Sequence, residues 1–114
     1  MDGHKEKAYR NIYIVQPSHD FAGLKLWAKD LRYITTGYES AAELEDRIRS
    51  VLENFDPHQD AIVAVGRSNA VLVTGIVLRS MFPDADITFG VYKSRMPGRA
   101  SYSWEKISAH SATL

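Results

Sequence analysis

The sequence predicts a small α/β domain in three layers, its mostly parallel sheet ending in an antiparallel hairpin. Three observations predict it. Short β-branched and aromatic runs alternate with segments of helical length and pattern. The run "AIVAV" at 61–65 is apolar on both of its alternating faces, as a central strand covered on each side must be. The stretch "SRMPGRASYSWEKIS" at 94–108 sets a Pro-Gly turn before alternating residues, which reads as a hairpin.

Each element has a local cause. "NIYIVQP" has the composition of a buried strand, and Pro17 closes it because proline cannot donate to a ladder. In "SHDFAGLKLWAKD" Phe21, Leu24, Ala28 and Leu31 recur at helical spacing behind Ser18 as a candidate N-cap, so a short helix is expected there despite Gly23. "LRYITTG" reads as a second strand. Residues 40–55 give the clearest helix: Ser40 and Glu43 form a capping box, and Leu44, Ile48, Leu52 and Phe55 make one apolar stripe. Glu43 with Arg47 and Glu45 with Arg49 stand at ion-pair spacing on that helix.

Asp56-Pro57 then starts a turn. Gly66-Arg67-Ser68-Asn69 breaks the apolar run after the third strand, and residues 68–82 carry no charge before Arg79 over about four helical turns. With "DITFGVYK" as the returning strand, this segment is a βαβ unit in length and order. The whole is a small Rossmann-like or flavodoxin-like arrangement, one domain over residues 1–114 with a polar leader at 1–10 and a tail at 108–114.

Composition narrows the chemistry. Fourteen Lys and Arg balance fourteen Asp and Glu, so the surface as a whole is not built to grip nucleic acid. Locally the balance shifts: 38–60 is acidic, whereas 93–106 carries Lys93, Arg95, Arg99 and Lys106 against Glu105 alone. Solvated faces of this kind commonly serve solubility. The chain has no cysteine, which removes disulfides, thiolate nucleophiles and the common structural zinc sites. Its four histidines lie at no metal-like spacing, so neither metal nor cofactor is expected. No apolar run approaches the roughly 20 residues of a membrane span, and the start lacks a signal-peptide pattern. A cytoplasmic, unanchored protein is expected.

In a parallel sheet the loops leaving the strand ends share one edge, where ligands of open α/β sheets bind. Four loops would meet there: 16–20, 35–38, 66–69 and 93–95. Ser18, His19, Thr36, Gly66, Arg67, Ser68, Asn69 and Lys93 are therefore the candidate ligand-binding residues, with Asp20 as the only acid among them. A glycine turn and a helix N-terminus beside Arg67 would suit a small phosphorylated ligand. Neither nucleotide fingerprint is met, and any strand-to-helix turn uses the same residues.

Gly66-Arg67-Ser68-Asn69-Ala70 approximates a nucleophile elbow, yet only His110 follows it, so a minimal serine hydrolase on Ser68 is the third reading and no catalytic residue is assigned. In the hairpin, Arg95, Arg99, Tyr102 and Trp104 interleave cations with aromatics, as single-stranded nucleic-acid binding does. The same pattern also describes an edge strand protected by charge, or a surface for a partner protein.

The stretches "ENFDPHQDAIVAVGRSNAVLVTGIVL" and "ITFGVYKSRMPGRASYSWEKI" resemble small uncharacterised phage-encoded α/β proteins, in which a D-P-x-x-D turn precedes an apolar strand, a glycine turn and an apolar helix. The resemblance covers residues 53–107 and implies a viral origin, with host cytoplasm as the location, but no chemistry. The function expected is that of a non-enzymatic viral accessory protein that binds a host or virion protein. The alternative is a nucleotide or single-stranded nucleic-acid binding module using the 66–69 turn and the basic hairpin. No membrane partner is expected, and an exposed sheet edge would allow a homodimer.

Overall fold

The computed structural model describes residues 8–16, 21–36, 39–96 and 99–108. Five strands, β1 (Tyr9–Ile14), β2 (Ala28–Tyr33), β3 (Asp60–Val63), β4 (Ile87–Met96) and β5 (Arg99–Ile107), form one sheet in the order β2-β1-β3-β4-β5. β1 runs parallel to both β2 and β3, β3 runs parallel to β4, and β5 returns antiparallel to β4. The expected α/β fold, with its mostly parallel sheet and closing hairpin, is the fold observed.

Two helices cover one face. α1 (Ala41–Val51) begins as its sequence predicts: Glu43 N–H donates to Ser40 Oγ at 3.3 Å while Ser40 N–H donates to Glu43 Oε1 at 2.8 Å. Because Glu43 is engaged in this box, the expected Glu43–Arg47 pair gives way. Arg47 instead donates to the Ile34 carbonyl at 2.9 Å and stands 3.8 Å from Glu39, whereas the Glu45–Arg49 pair forms at 3.0 Å.

α2 (Ser68–Met81) turns Ala70, Thr74, Val77 and Leu78 inward, and Arg79 pins the exit from the helix by donating to the carbonyls of Phe82, Pro83 and Ala85. Leu44, Ile48, Leu52 and Phe55 meet Tyr13, Val15, Ile62 and Ile87 beneath these helices to form the larger core.

On the opposite face the layer is one turn deep. Instead of a helix over 18–30, the described part of this segment holds a 3-10 turn, Ala22–Leu26, and Ala28 already belongs to β2, in register with Tyr9. The periodicity misled because Phe21 and Leu24, three apart, do reach the core, and a single 3-10 turn satisfies that spacing as well as an α-helix would. Leu26 and Trp27 are left exposed, at 78% and 43%.

Aromatic rings extend this cover over the hairpin. Trp104 lies across Gly90, where a Cβ would stand 2.7 Å from its ring, and its ring centroid is 5.1 Å from Tyr9, 6.1 Å from Trp27 and 6.2 Å from Tyr102. Gly90 therefore serves close packing rather than a turn. No helix among the described residues is long and apolar enough to cross a membrane.

Candidate functional site

The strand order reverses between β1 and β3, so the crevice that topology provides lies at their carboxyl ends. Gln16, just beyond β1, and the turn 66–69 face each other there. Gly66 has φ +125°, a conformation in which a side chain is strained, and a Cβ on it would stand 2.5 Å from that of Gln16. Arg67 N–H donates to Gln16 Oε1 at 2.8 Å. The Gln16 side chain thus fills the space between the end of β1 and this turn. Among the described residues a cavity of about 10 Å³ lies there, lined by Gln16, Thr35, Glu39, Leu44, Arg67, Asn69 and Ala70. That is about the space of one water and too small for a phosphate group.

Several of the polar groups around it are already engaged. Thr35 Oγ1 donates to the Val15 carbonyl at 2.8 Å. Thr36 N–H donates to both carboxylate oxygens of Glu39, at 2.9 and 3.2 Å, which brings a second acid to a rim where Asp20 alone was expected. Arg67 is the N-cap of α2 and makes no side-chain cap, and Ser68 is the first helical residue. Asn69 Oδ1 accepts from Ala70 N–H at 2.9 Å, occupying one of the amides that an anion at the helix terminus would use.

Of the sequence candidates, the structure gathers Thr36, Gly66, Arg67, Ser68 and Asn69 at this rim. Ser18 and His19 lie outside the described residues, as do Asp20 and His110. Lys93, Arg95 and Arg99 sit on the hairpin strands by backbone, and their side chains are outside the description. Tyr102 and Trp104 pack against the thin-layer core, and Trp104 Nε1 is buried without an acceptor. No cluster of three or more potential metal ligands occurs among the described residues.

The turn before β3 explains the paired aspartates. Asp60, fully buried, accepts from Arg10 at both oxygens (3.2 and 2.8 Å), from Asn11 N–H at 3.0 Å and from Asp56 N–H at 2.8 Å. Asp56 accepts from His58 N–H at 2.9 Å and from Gln59 Nε2 at 2.8 Å, bonds that hold its carboxyl below the usual range. These carboxylates organise the backbone of the turn.

Among the described residues, two larger cavities open elsewhere. One, of about 730 Å³, lies at the amino ends of β3 and β4 beside His58, Asp84, Asp86 and Lys106. The other, of about 790 Å³, opens between β2 and the end of α1 and is lined by Arg10, Asn11, Tyr13, Asp30, Arg32 and Ser50 among others. Sequence reasoning missed this second group. The available signal was polar residues at alternate positions of two strands otherwise rich in apolar ones: Asn11 in β1, Asp30 and Arg32 in β2. No family model, curated protein or solved structure matches the chain, so its geometry alone speaks for its function.

Proposed function

We propose that this protein acts by binding rather than catalysis, and that it docks a partner protein on the outer face of α2. The observation that carries the reading is the exposure of Leu72 (64%) and Ile76 (59%), one turn apart on a helix with no charge between Ser68 and Leu78. A helix apolar all round is normally covered on every side. Gly75 adjoins both residues with open space at its Cβ position, so the face offers two knobs beside a notch. Covering the two side chains would contribute about 3 kcal/mol, which is appreciable but needs a surrounding rim to give specificity.

The rim available is Arg67, exposed at the positive end of the helix. The occupant proposed is therefore an apolar groove with an acidic border, on a host or virion protein as the phage-like resemblance suggests. Photo-crosslinking from position 72, compared with position 46 on α1, tests it. Crosslinks from 72 that are absent from 46 and lost in Ile76→Asp and in Arg67→Glu, with unfolding midpoints unchanged, would support the reading. No crosslink from 72, or crosslinks only to a second copy of the chain, would overturn it.

A second reading has one observation in its favour, the ring cluster of Tyr9, Trp27, Tyr102 and Trp104 on the thinly covered face. Stacking of single-stranded bases on Trp27 predicts binding that falls steeply with salt and in Trp27→Ala. Absence of binding at low salt would remove this reading.

A further inference from the structure

We infer that the notch between the β2 edge and the end of α1 binds a small molecule by its oxyanion, a phosphate or carboxylate, through Arg32, Arg10 and the phenol of Tyr13. This site is separate from the α2 face and does not depend on it.

The notch exists because α1 stops short of the sheet edge. The helix ends at Val51 and passes into a 3-10 turn, Leu52–Asn54, leaving Ser50 and Asn54 opposite the outer strand β2. Its volume of about 790 Å³ is in the range of small-molecule sites.

The two guanidinium groups are held in place before any ligand arrives. Arg10 is gripped by Asp60 and donates to the Asn54 carbonyl at 3.0 Å. Asn11 Nδ2 donates to Asp60 Oδ1 at 3.3 Å, and Asn11 Oδ1 accepts from Arg32 Nε at 3.3 Å. Arg32 is thereby linked through one carboxamide to the same buried carboxylate. Asp60 balances the charge of Arg10, but Arg32 has no ion pair among the described residues, and its outer nitrogens remain to form the planar fork that fits an oxyanion.

Tyr13 supplies the second, independent sign of a ligand. It is 99% buried, lines the notch and makes no side-chain hydrogen bond among the described residues. Among the described residues Tyr13 thus brings a buried phenol to the lining of the notch beside Arg10 and Arg32. Burial, with Asp60 nearby, pushes its phenol up from the usual value while Arg32 and Arg10 pull it down; the net is upward, so the hydroxyl stays protonated and donates.

Asp30 restricts the ligand. It stands two residues from Arg32 on β2, lines the notch and forms no ion pair within 4.0 Å among the described residues. A bare polyanion would be repelled there, whereas hydroxyl or ammonium groups next to the oxyanion would be accepted. The ligand chemistry is thus a small oxyanion carrying adjacent donors, met by a sugar phosphate or by an amino acid.

Calorimetric titration at low salt with ribose 5-phosphate, with L-serine and with inorganic phosphate tests the site. Saturable binding of ribose 5-phosphate or L-serine, tighter than that of inorganic phosphate and weakened about tenfold in Arg32→Ala and about threefold in Tyr13→Phe, is expected. The probe bound most tightly identifies the source of the oxyanion. Lys25→Ala, on the 3-10 turn of the opposite face, should leave affinity unchanged, and both notch variants should melt within a few degrees of the parent because neither loses the Asp60 bonds. No saturable binding of ribose 5-phosphate or L-serine, inorganic phosphate bound as tightly as either, binding that survives Arg32→Ala, or binding lost in Lys25→Ala would overturn the inference.

Discussion

The crevice between β1 and β3 and the notch beside β2 lie on the same sheet and were shaped by opposite circumstances. At the crevice, topology brings loops together, but Gln16 and Glu39 occupy the space and the described residues line only about 10 Å³ there. At the notch no loops converge, yet a short helix beside an edge strand leaves about 790 Å³ lined by fixed arginines. Chain path decides where a site can be. Side-chain filling decides whether there is one. A fold-level rule about ligand position describes the first of these and is silent on the second.

Both regions depend on one polar residue that holds backbone, and this makes the contrast testable. Asp60→Ala should have the largest effect, because it strands Asn11 N–H, Asp56 N–H and the Arg10 guanidinium around a buried position: about 3–5 kcal/mol of stability lost in urea unfolding. A loss below about 1 kcal/mol would mean that the notch does not rest on this carboxylate.

Gly66→Ala should come next, at about 2–3 kcal/mol, from its left-handed backbone and the contact with Gln16. The nearest atom is the Cβ of Gln16, so adding Gln16→Ala should not restore stability, whereas adding Gln16→Gly should restore part of it. Gln16→Ala alone removes one hydrogen bond, that from Arg67 N–H, and should cost about 1 kcal/mol. It would also enlarge the crevice without conferring phosphate affinity, since Glu39 remains; a phosphate-induced melting shift in that variant would show the crevice to be a blocked anion site.

The smallest effect concerns acid. Hydrogen bonds from Ser40 hold the Glu43 carboxyl below its usual range, and those from His58 and Gln59 do the same for Asp56. A carboxyl depressed in the folded state contributes stability above its ordinary value and loses it as pH falls through the folded value. Stability should therefore decline on acidification below the ordinary carboxylate range. Ser40→Ala, expected to cost about 1 kcal/mol near neutrality, should flatten part of that slope. An acid slope identical in parent and variant would exclude the Ser40 hydroxyl as a source, leaving the Ser40 N–H bond to Glu43.

Much of the fold was legible because its causes are local. Ser40 and Glu43 start α1 by bonds that span three residues, Pro57 and Asp56 turn the chain before β3, and Gly66 marks a backbone conformation that glycine adopts readily. The first connection was not legible. Phe21 and Leu24 satisfy a helix and a 3-10 turn alike, and only the pairing of Ala28 with Tyr9 ends the segment there. The Glu43–Arg47 pair failed for a similar reason, since spacing does not reveal which partner a side chain already has.

Taken alone, the amino-acid order determined the alternation of elements, their caps and turns, and a covered central strand, because these follow from periodicity and bonds between near neighbours. Only the tertiary structure decided which polar groups meet. Arg10 lies fifty residues from Asp60, Gln16 fifty-one from Arg67, and Asn11 twenty-one from Arg32. Such contacts carry no repeat in the sequence: they arise from strand register and from how far a helix reaches across a sheet, which are set when the layers pack.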